Sequence, residues 1–229
     1  MADEPMRAVV IAAGGAQPTS DRHRYILDMV QGSHLLVAVN GGSDVAMHLG
    51  LQPDMIIGDL DSMGAEARGH FLRPGGPEVR SFPSRKDRTD TQLALEHLMS
   101  RTPRPDAITV CGAFGDRLDH GLALVLYSAS LQVASRKPAS VILTDGRQRA
   151  FSVTASTVVA GEPGDTVSLI PLTPRVTDVH LEGFCYPLAG QTLRWGTTLG
   201  ISNVLATGRA RVEIRGEGVL LAVHTPRGM

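Results

Sequence analysis

Residues 35–62 read LLVAVNGGSDVAMHLGLQPDMIIGDLDS. Leu35–Val39 is a continuous apolar run of strand length with no polar alternation, the pattern of a strand covered on both faces. Asn40-Gly41-Gly42 then breaks the run, Ser43–Leu49 is helix-like, and Met55–Ile57 is a second buried strand ending in Gly58-Asp59-Leu60-Asp61-Ser62. Strand, helix, strand within so short a span predicts a parallel pair joined by a crossover helix. The same grammar extends outward. Ala8–Ile11, Val79–Phe82, Ile108–Cys111 and Val141–Leu143 are further strands, and Ser20–Val30, Ala65–Phe71, Asp90–Met99 and Asp119–Ala134 are helices between them. Residues 1–145 are therefore expected to form an α/β domain with a doubly wound, mostly parallel sheet.

After Asp145 the period changes. Thr166–Ile170, Val176–Leu181 and Ala210–Arg215 largely alternate apolar and polar residues, Val219–Val223 is a further apolar strand, and Gly161, Pro163-Gly164, Pro171, Pro174, Gly183, Gly190 and Gly216 punctuate the stretch. Residues 146–229 thus predict an all-β sandwich. The bulk composition agrees with a folded chain: 42% hydrophobic and 20% charged residues among 229 supply a core. With 22 Lys+Arg against 23 Asp+Glu there is no basic excess for a nucleic-acid surface. Two isolated cysteines, Cys111 and Cys185, exclude a disulfide scaffold and a four-cysteine zinc site, which points to a reducing cytoplasm. The longest uncharged stretch, Gly121–Ser135, is too short for a membrane span, so no membrane role is expected.

Polar residues follow the strands of the first half at each of four places: Asn40–Ser43, Gly58–Ser62, Pro83–Asp90 and Gly112–His120. In an open α/β sheet these loops share the carboxyl edge, where ligands bind. They would gather Asp59, Asp61, Asp87, Asp90 and Asp119 with Arg85, Lys86, Arg88 and Arg117. In an extended Asp59-Leu60-Asp61 the two carboxylates share a side and suit Mg²⁺. The alternative is that Asp59 caps a turn and Asp61-Ser62 starts a helix. Thr89 and Gln92 have capping-box spacing, whereas a Lys86-Asp87 pair has no capping use and matches phosphate plus metal. No Walker-type or dinucleotide glycine loop is present.

The ordered series Asn40-Gly-Gly, Gly58-Asp-Leu-Asp-Ser62, Lys86-Asp-Arg-Thr-Asp90, Gly115-Asp-Arg-Leu-Asp-His120 and Gly200-Ile-Ser-Asn203 resembles the bacterial thiamine pyrophosphokinase family, over nearly the whole chain. The resemblance implies transfer of the diphosphate of ATP to the hydroxyl of thiamine, with Mg²⁺, giving thiamine diphosphate and AMP. It also implies a cytoplasmic homodimer with active sites at the subunit interface. By resemblance Asp59, Asp61, Asp87 and Asp90 are catalytic, with Asp59, Asp61 and Asp90 on the metal. Asp87 or Asp90 is the candidate to accept the hydroxyl proton. Asn40, Gly41, Lys86, Thr89, Arg117, Asp119 and His120 would contact ATP, and Ser202 and Asn203 thiamine. The chain departs from the family pattern at Asn40, usually Asp, at Asp116, often Gly, at Cys185, commonly Lys, and at Val204, often Glu. The alternatives are a pyrophosphokinase for another hydroxymethyl acceptor, such as a pterin alcohol, and a non-catalytic nucleotide or thiamine sensor.

Overall fold

Short runs rich in Val, Ile and Leu form six strands in the first half: β1 (Arg7–Ile11), β2 (Leu35–Val39), β3 (Met55–Gly58), β4 (Glu78–Ser81), β5 (Ala107–Cys111) and β6 (Ser140–Thr144). Each pairs in parallel with its neighbours in the order β6-β5-β1-β2-β3-β4. Helices α1 (Ser20–Gln31), α2 (Gly42–His48), α3 (Ala65–Phe71), α4 (Asp90–Ser100) and α5 (Leu118–Ala134) make the crossovers. Every residue of β2 and β3 is buried, which is why their sequences show no polar alternation. Val9, Ile11, Leu36, Ala38 and Ile56 pack with Ala46 of α2 and with Ala67 and Phe71 of α3. β4, with all four residues exposed, is the sheet edge, and its Glu78 and Arg80 keep it polar.

The structure is a computed structural model that describes residues 4–14, 20–115, 117–134 and 139–228. Asp116 and Ser135, quoted in the sequence motifs, lie outside the described residues. By contact density the chain forms two units, Met1–Leu124 with Ala139–Gly146, and Val125–Pro138 with Arg147–Met229. Among the described residues no helix is long and apolar enough to cross a membrane.

The second unit carries eight strands: β7 (Arg149–Val153), β8 (Ser156–Ala160), β9 (Thr166–Pro171), β10 (Arg175–Glu182), β11 (Leu188–Arg194), β12 (Asn203–Val204), β13 (Arg209–Ile214) and β14 (Leu220–Thr225). They pair antiparallel as β12-β9-β14-β7 and β11-β10-β13-β8. Val167, Leu169 and Leu220 of the first set share one core with Val176, Leu181, Leu193 and Val212 of the second, so the two sheets pack face to face. Strand β11 is absent from the period-two reading because Gly190 lies inside it. That glycine, at φ +83°, sits opposite a register shift in β10 where Asp178 has φ +53°. It belongs to a bulge and not to a turn.

One buried polar group is saturated inside this unit. His224, 1% exposed, lies with Nε2 2.8 Å from Asp165 Oδ2, while the Arg149 guanidinium donates to Nδ1 at 2.8 Å. Donation to Nδ1 leaves the ring proton on Nε2, where it donates to Asp165. Asp165 also accepts the N–H groups of Arg227 at 2.7 Å and Glu162 at 2.9 Å. Burial alone would raise the Asp165 carboxyl, but the Arg227 and Glu162 N–H groups, with His224, hold it below its ordinary value. A carboxylate lowered in the folded state contributes stability above its unfolded value, and this is lost as pH falls through the folded one. Asp165→Ala is expected to lose about 2–3 kcal/mol in urea unfolding at pH 7. It should also lose part of the acid destabilisation expected of the wild type below the ordinary value of 3.8. Unchanged stability at both pH values would remove the network from the fold's support.

Candidate active site

The chain runs outward from β1 through β2, β3 and β4, then returns to the other side of β1 with β5 and β6. Loops leaving β1 and β2 on one hand and β5 on the other therefore diverge over β1, and a crevice opens there. A cleft of about 420 Å³ occupies that place, lined by Ala12, Ala13 and Gly14 after β1, Val39 and Asn40 at the end of β2, and Gly112, Ala113, Gly115 and Arg117 after β5. Ser62, Thr89, Asp90 and Thr91, with His120 and Leu124 of α5, complete it. Gly42 starts α2 hard against β1: a Cβ there would stand 2.0 Å from the Ile11 carbonyl oxygen. Helix α2 can thus begin directly behind Asn40 and Gly41.

Three loops bring charge to the cleft's rim. The β3 loop carries Asp59 and Asp61. Leu60 between them has φ +65°, so the segment turns and is not extended as its sequence suggested. The carboxylates are neighbours because the Asp61 N–H folds back on Asp59 Oδ1 at 3.2 Å. The turn-capping alternative for Asp59 is therefore also what occurs, but α3 starts only at Ala65, after Gly64. Asp44 fixes the far side of the loop by accepting the Gly64 N–H at 3.0 Å, and the Arg68 guanidinium donates to the Leu60 carbonyl. From the loop after β4, Lys86 places its ammonium 2.9 Å from Asp90 Oδ1 and 3.5 Å from Asp59 Oδ2, and donates to the Pro83 carbonyl at 3.0 Å.

These charges set one another's protonation. Partial burial would raise Asp59, but the Asp61 N–H and the Lys86 ammonium bring it below the ordinary value. Asp61 is raised, first by sharing a hydrogen bond with Asp59, then by desolvation and the repulsion of Asp59 and Asp90. Lys86 is raised, because Asp90 and Asp59 outweigh its desolvation. Two carboxylates that compete for a proton are a good pair for a divalent cation, which relieves their repulsion. Among the described residues no three acidic, histidine or cysteine side chains converge as a metal cage. The protein thus offers a pair, and the remaining positions on a cation would fall to phosphate oxygens and water, the usual arrangement for Mg²⁺.

Arg117 and Asp119 form a two-point pair at 2.9 and 2.6 Å, both exposed, and Asp119 is held down to about 2, chiefly by that hydrogen bond. Asp119 therefore braces Arg117, which itself lines the cleft with His120. Thr89 caps α4 by accepting the Gln92 N–H at 3.2 Å; the Gln92 side chain turns to Glu96 at 3.0 Å, so the capping box is half made. Gly41 borders the cleft without lining it, and Asp87 is exposed on its loop, with no bond to Asp59, Asp61 or Asp90 among the described residues. Cys111 is buried, and burial pushes its thiol up to about 12, which makes it core and no nucleophile. In the second unit, Ser202 is exposed and its N–H donates to Ser168 Oγ at 3.0 Å. Asn203 is buried, with Oδ1 accepting the Tyr186 N–H at 3.1 Å and Nδ2 donating to the Tyr186 carbonyl at 2.7 Å. Ala12-Ala13-Gly14 and Thr91 escape the sequence reading, whereas Ser62 closes one of the loops it names. The first of these was findable by the rule used for the other loops, since it follows a strand and ends in glycine.

Known proteins share this fold. The chain matches the family model "Thiamin pyrophosphokinase, catalytic domain" over residues 26–139 and "Thiamin pyrophosphokinase, vitamin B1 binding domain" over residues 156–218. It is 27% identical to the thiamine pyrophosphokinase of Bacillus subtilis over 193 residues, which are 83% of this chain and 87% of that protein. The crystal structure of the Bacillus subtilis thiamine pyrophosphokinase superposes with a TM-score of 0.82 at 25% identity, covering 96% of this chain and 99% of the other. That from Geobacillus thermodenitrificans gives 0.79 at 25% identity, with 97% and 99% covered. Yeast thiamin pyrophosphokinase, at 13% identity and a TM-score of 0.74, covers 97% and 87% and shares the fold. The two family models follow one another in order and together span more than half of the sequence, so this chain belongs to the thiamine pyrophosphokinase family.

Proposed function

We propose that the protein transfers the diphosphate of ATP to the hydroxyl of thiamine, releasing AMP. The observation that carries this is the rim of the cleft. Asp90 and Arg117 line it, and Lys86 links Asp90 to Asp59 and its neighbour Asp61 at the carboxyl edge of a parallel sheet, a place and a charge pattern suited to a polyphosphate with its cation. Asp59 and Asp61 would hold Mg²⁺, which, when bound, neutralises charge on the phosphates. Lys86 and Arg117 supply fixed positive charge where the transferred and leaving phosphates must lie. The acceptor hydroxyl attacks the β-phosphorus in line, the bond to the α-phosphate oxygen breaks, and AMP leaves with that oxygen. Positioning and charge neutralisation supply most of the rate in such transfers. Asp90 Oδ2 accepts a hydrogen bond from Asn40 Nδ2 at 2.7 Å, and Oδ1 is ion-paired with the Lys86 ammonium at 2.9 Å, so this carboxylate serves as an anchor.

A homodimer is part of the same proposal. Leu118, Leu122 and Leu126, four residues apart on α5, are 73%, 55% and 58% exposed and form an apolar stripe of the kind a second copy covers. Light scattering should give twice the chain mass of 24.3 kDa for the wild type and a shift toward monomer for Leu122→Asp. A wild type that scatters as a monomer would sink the dimer.

The deciding experiment for the activity is incubation of the pure protein with thiamine, ATP and Mg²⁺, with nucleotide and thiamine products resolved by chromatography. Thiamine diphosphate forming one-for-one with AMP is the expected result. ADP in place of AMP, or product only from a pterin alcohol, would overturn the reaction or the acceptor respectively. Asp59→Ala and Asp61→Ala should each lower kcat by at least about 10²-fold with the unfolding midpoint unchanged. Arg117→Ala should raise the KM for ATP about tenfold through loss of a charged hydrogen bond. Wild-type kinetics in any of these would remove that residue from the mechanism.

A further inference from the structure

Asn40 ties together the loops that follow β2, β3 and β4. It follows β2 with φ +46°, its N–H donates to the Ile57 carbonyl at 3.1 Å, and its own carbonyl accepts the Ser43 N–H at 2.9 Å where α2 begins. The side chain bridges two further loops. Oδ1 accepts the Leu60 N–H at 3.0 Å, and Nδ2 donates to Asp90 Oδ2 at 2.7 Å. The orientation of this amide is not arbitrary, because a peptide N–H only donates and a carboxylate only accepts. The backbone has made room for it: Gly58 has φ +144°, and a Cβ there would stand 1.8 Å from Asn40 Oδ1. Any other residue at 58 would displace the amide.

The bridge continues through charge. Asp90 meets Asn40 with one oxygen and Lys86 with the other at 2.9 Å, and Lys86 reaches Asp59 at 3.5 Å. Leu60, Asn40, Asp90, Lys86 and Asp59 are thus one connected chain, and only Asn40 in it is neutral and both accepts and donates through its side chain. A carboxylate at position 40 would still accept the Leu60 N–H, but it would set an anionic oxygen 2.7 Å from Asp90 Oδ2. It would also add a negative charge to a rim that already holds Asp59 and Asp90 around one ammonium.

We infer that Asn40 is a positioning residue. Its amide fixes the Asp90 carboxylate, and through Asp90 and Lys86 it sets the polyphosphate end of the cleft, without itself needing to touch the nucleotide. The inference rests on the diphosphotransfer reading for the ligand used to test it. The probe is α,β-methylene-ATP with Mg²⁺, which cannot be cleaved at the bond in question, bound to wild type, Asn40→Ala, Asp90→Ala and the double variant in titration calorimetry. Asn40→Ala should weaken Kd roughly ten- to a hundredfold. In the Asp90→Ala background, where the amide has no carboxylate to hold, the same substitution should weaken it no further. Asn40→Asp, which is isosteric and keeps the Leu60 bond, should fold like the wild type and bind at least as weakly as Asn40→Ala, with the KM for thiamine within twofold of wild type. Additive losses in the double variant overturn the inference. So does a loss confined to binding stoichiometry with Kd unchanged, which is what a merely structural role gives. A wild type that binds the analogue but makes no thiamine diphosphate from ATP overturns the functional reading and leaves the Asn40 cycle to be judged on its own. A wild type that binds no nucleotide overturns both.

Discussion

Two parallel strands cannot be joined by a tight turn; the chain must cross back over the sheet, usually as a helix, before the next strand begins. In the first unit this constraint acts five times, and each time it leaves a loop at the carboxyl edge and a helix start close behind it. Everything chemical in that unit lies in those loops. Asn40, Asp59, Asp61, Lys86, Asp90 and Arg117 come from sequence positions far apart, and none needs a special fold of its own to meet the others. The return of the chain to the far side of β1 adds the opening, since loops on its two sides lead away from each other.

The same gathering creates an electrostatic difficulty. Asp59, Asp61 and Asp90 share a rim with one closely placed ammonium, Lys86, and the hydrogen bond and charge of Asp59, with the charge of Asp90, help to raise the Asp61 carboxyl above its ordinary value. The structure answers with Lys86 between two of them, the Asp61 N–H on Asp59, and the amide of Asn40 on Asp90. The surplus negative charge that remains, centred on Asp61, is what a divalent cation would neutralise. The rim therefore holds its carboxylates in place with their repulsion only partly relieved.

The parallel half was legible almost to the residue, because strands covered on both faces must be apolar throughout. Leu35–Val39 and Ala65–Phe71 have the bounds their sequence predicts, and the ends of the other elements there differ by no more than one residue. In the sandwich, β9, β10 and β13 show through their alternation and β14 as an apolar run, but β7, β8, β11 and β12 do not show. Arg149–Val153 and Ser156–Ala160 are separated by only Thr154 and Ala155, neither a turn-forming residue, and β11 carries its glycine in a bulge. At the site, residue types announced the charged loops, whereas Ala12, Ala13 and Val39 contribute backbone and surface that no residue type advertises. The turn at Leu60 was illegible for a related reason: its positive φ is imposed by Asn40 and Arg68 from elsewhere in the chain, and a leucine gives no hint of it.

Asn40 and Asn203 teach the same lesson from the two units. Both sit in motifs whose residue types suggested ligand contacts, and both are consumed by their own chain. An amide side chain carries the same donor and acceptor as a peptide bond, so it can replace a missing strand neighbour. Asn203 does this for Tyr186, taking its N–H at 3.1 Å and its carbonyl at 2.7 Å, and also takes the Val204 N–H at 2.9 Å. Its amide is thereby committed, while Ser202 before it and Tyr186 opposite remain exposed. A motif asparagine of this kind marks the scaffold that presents a contact. The groups it presents, a short hydroxyl and an aromatic ring on one side and a carboxylate beside an ammonium on the other, are where recognition and chemistry have room to occur.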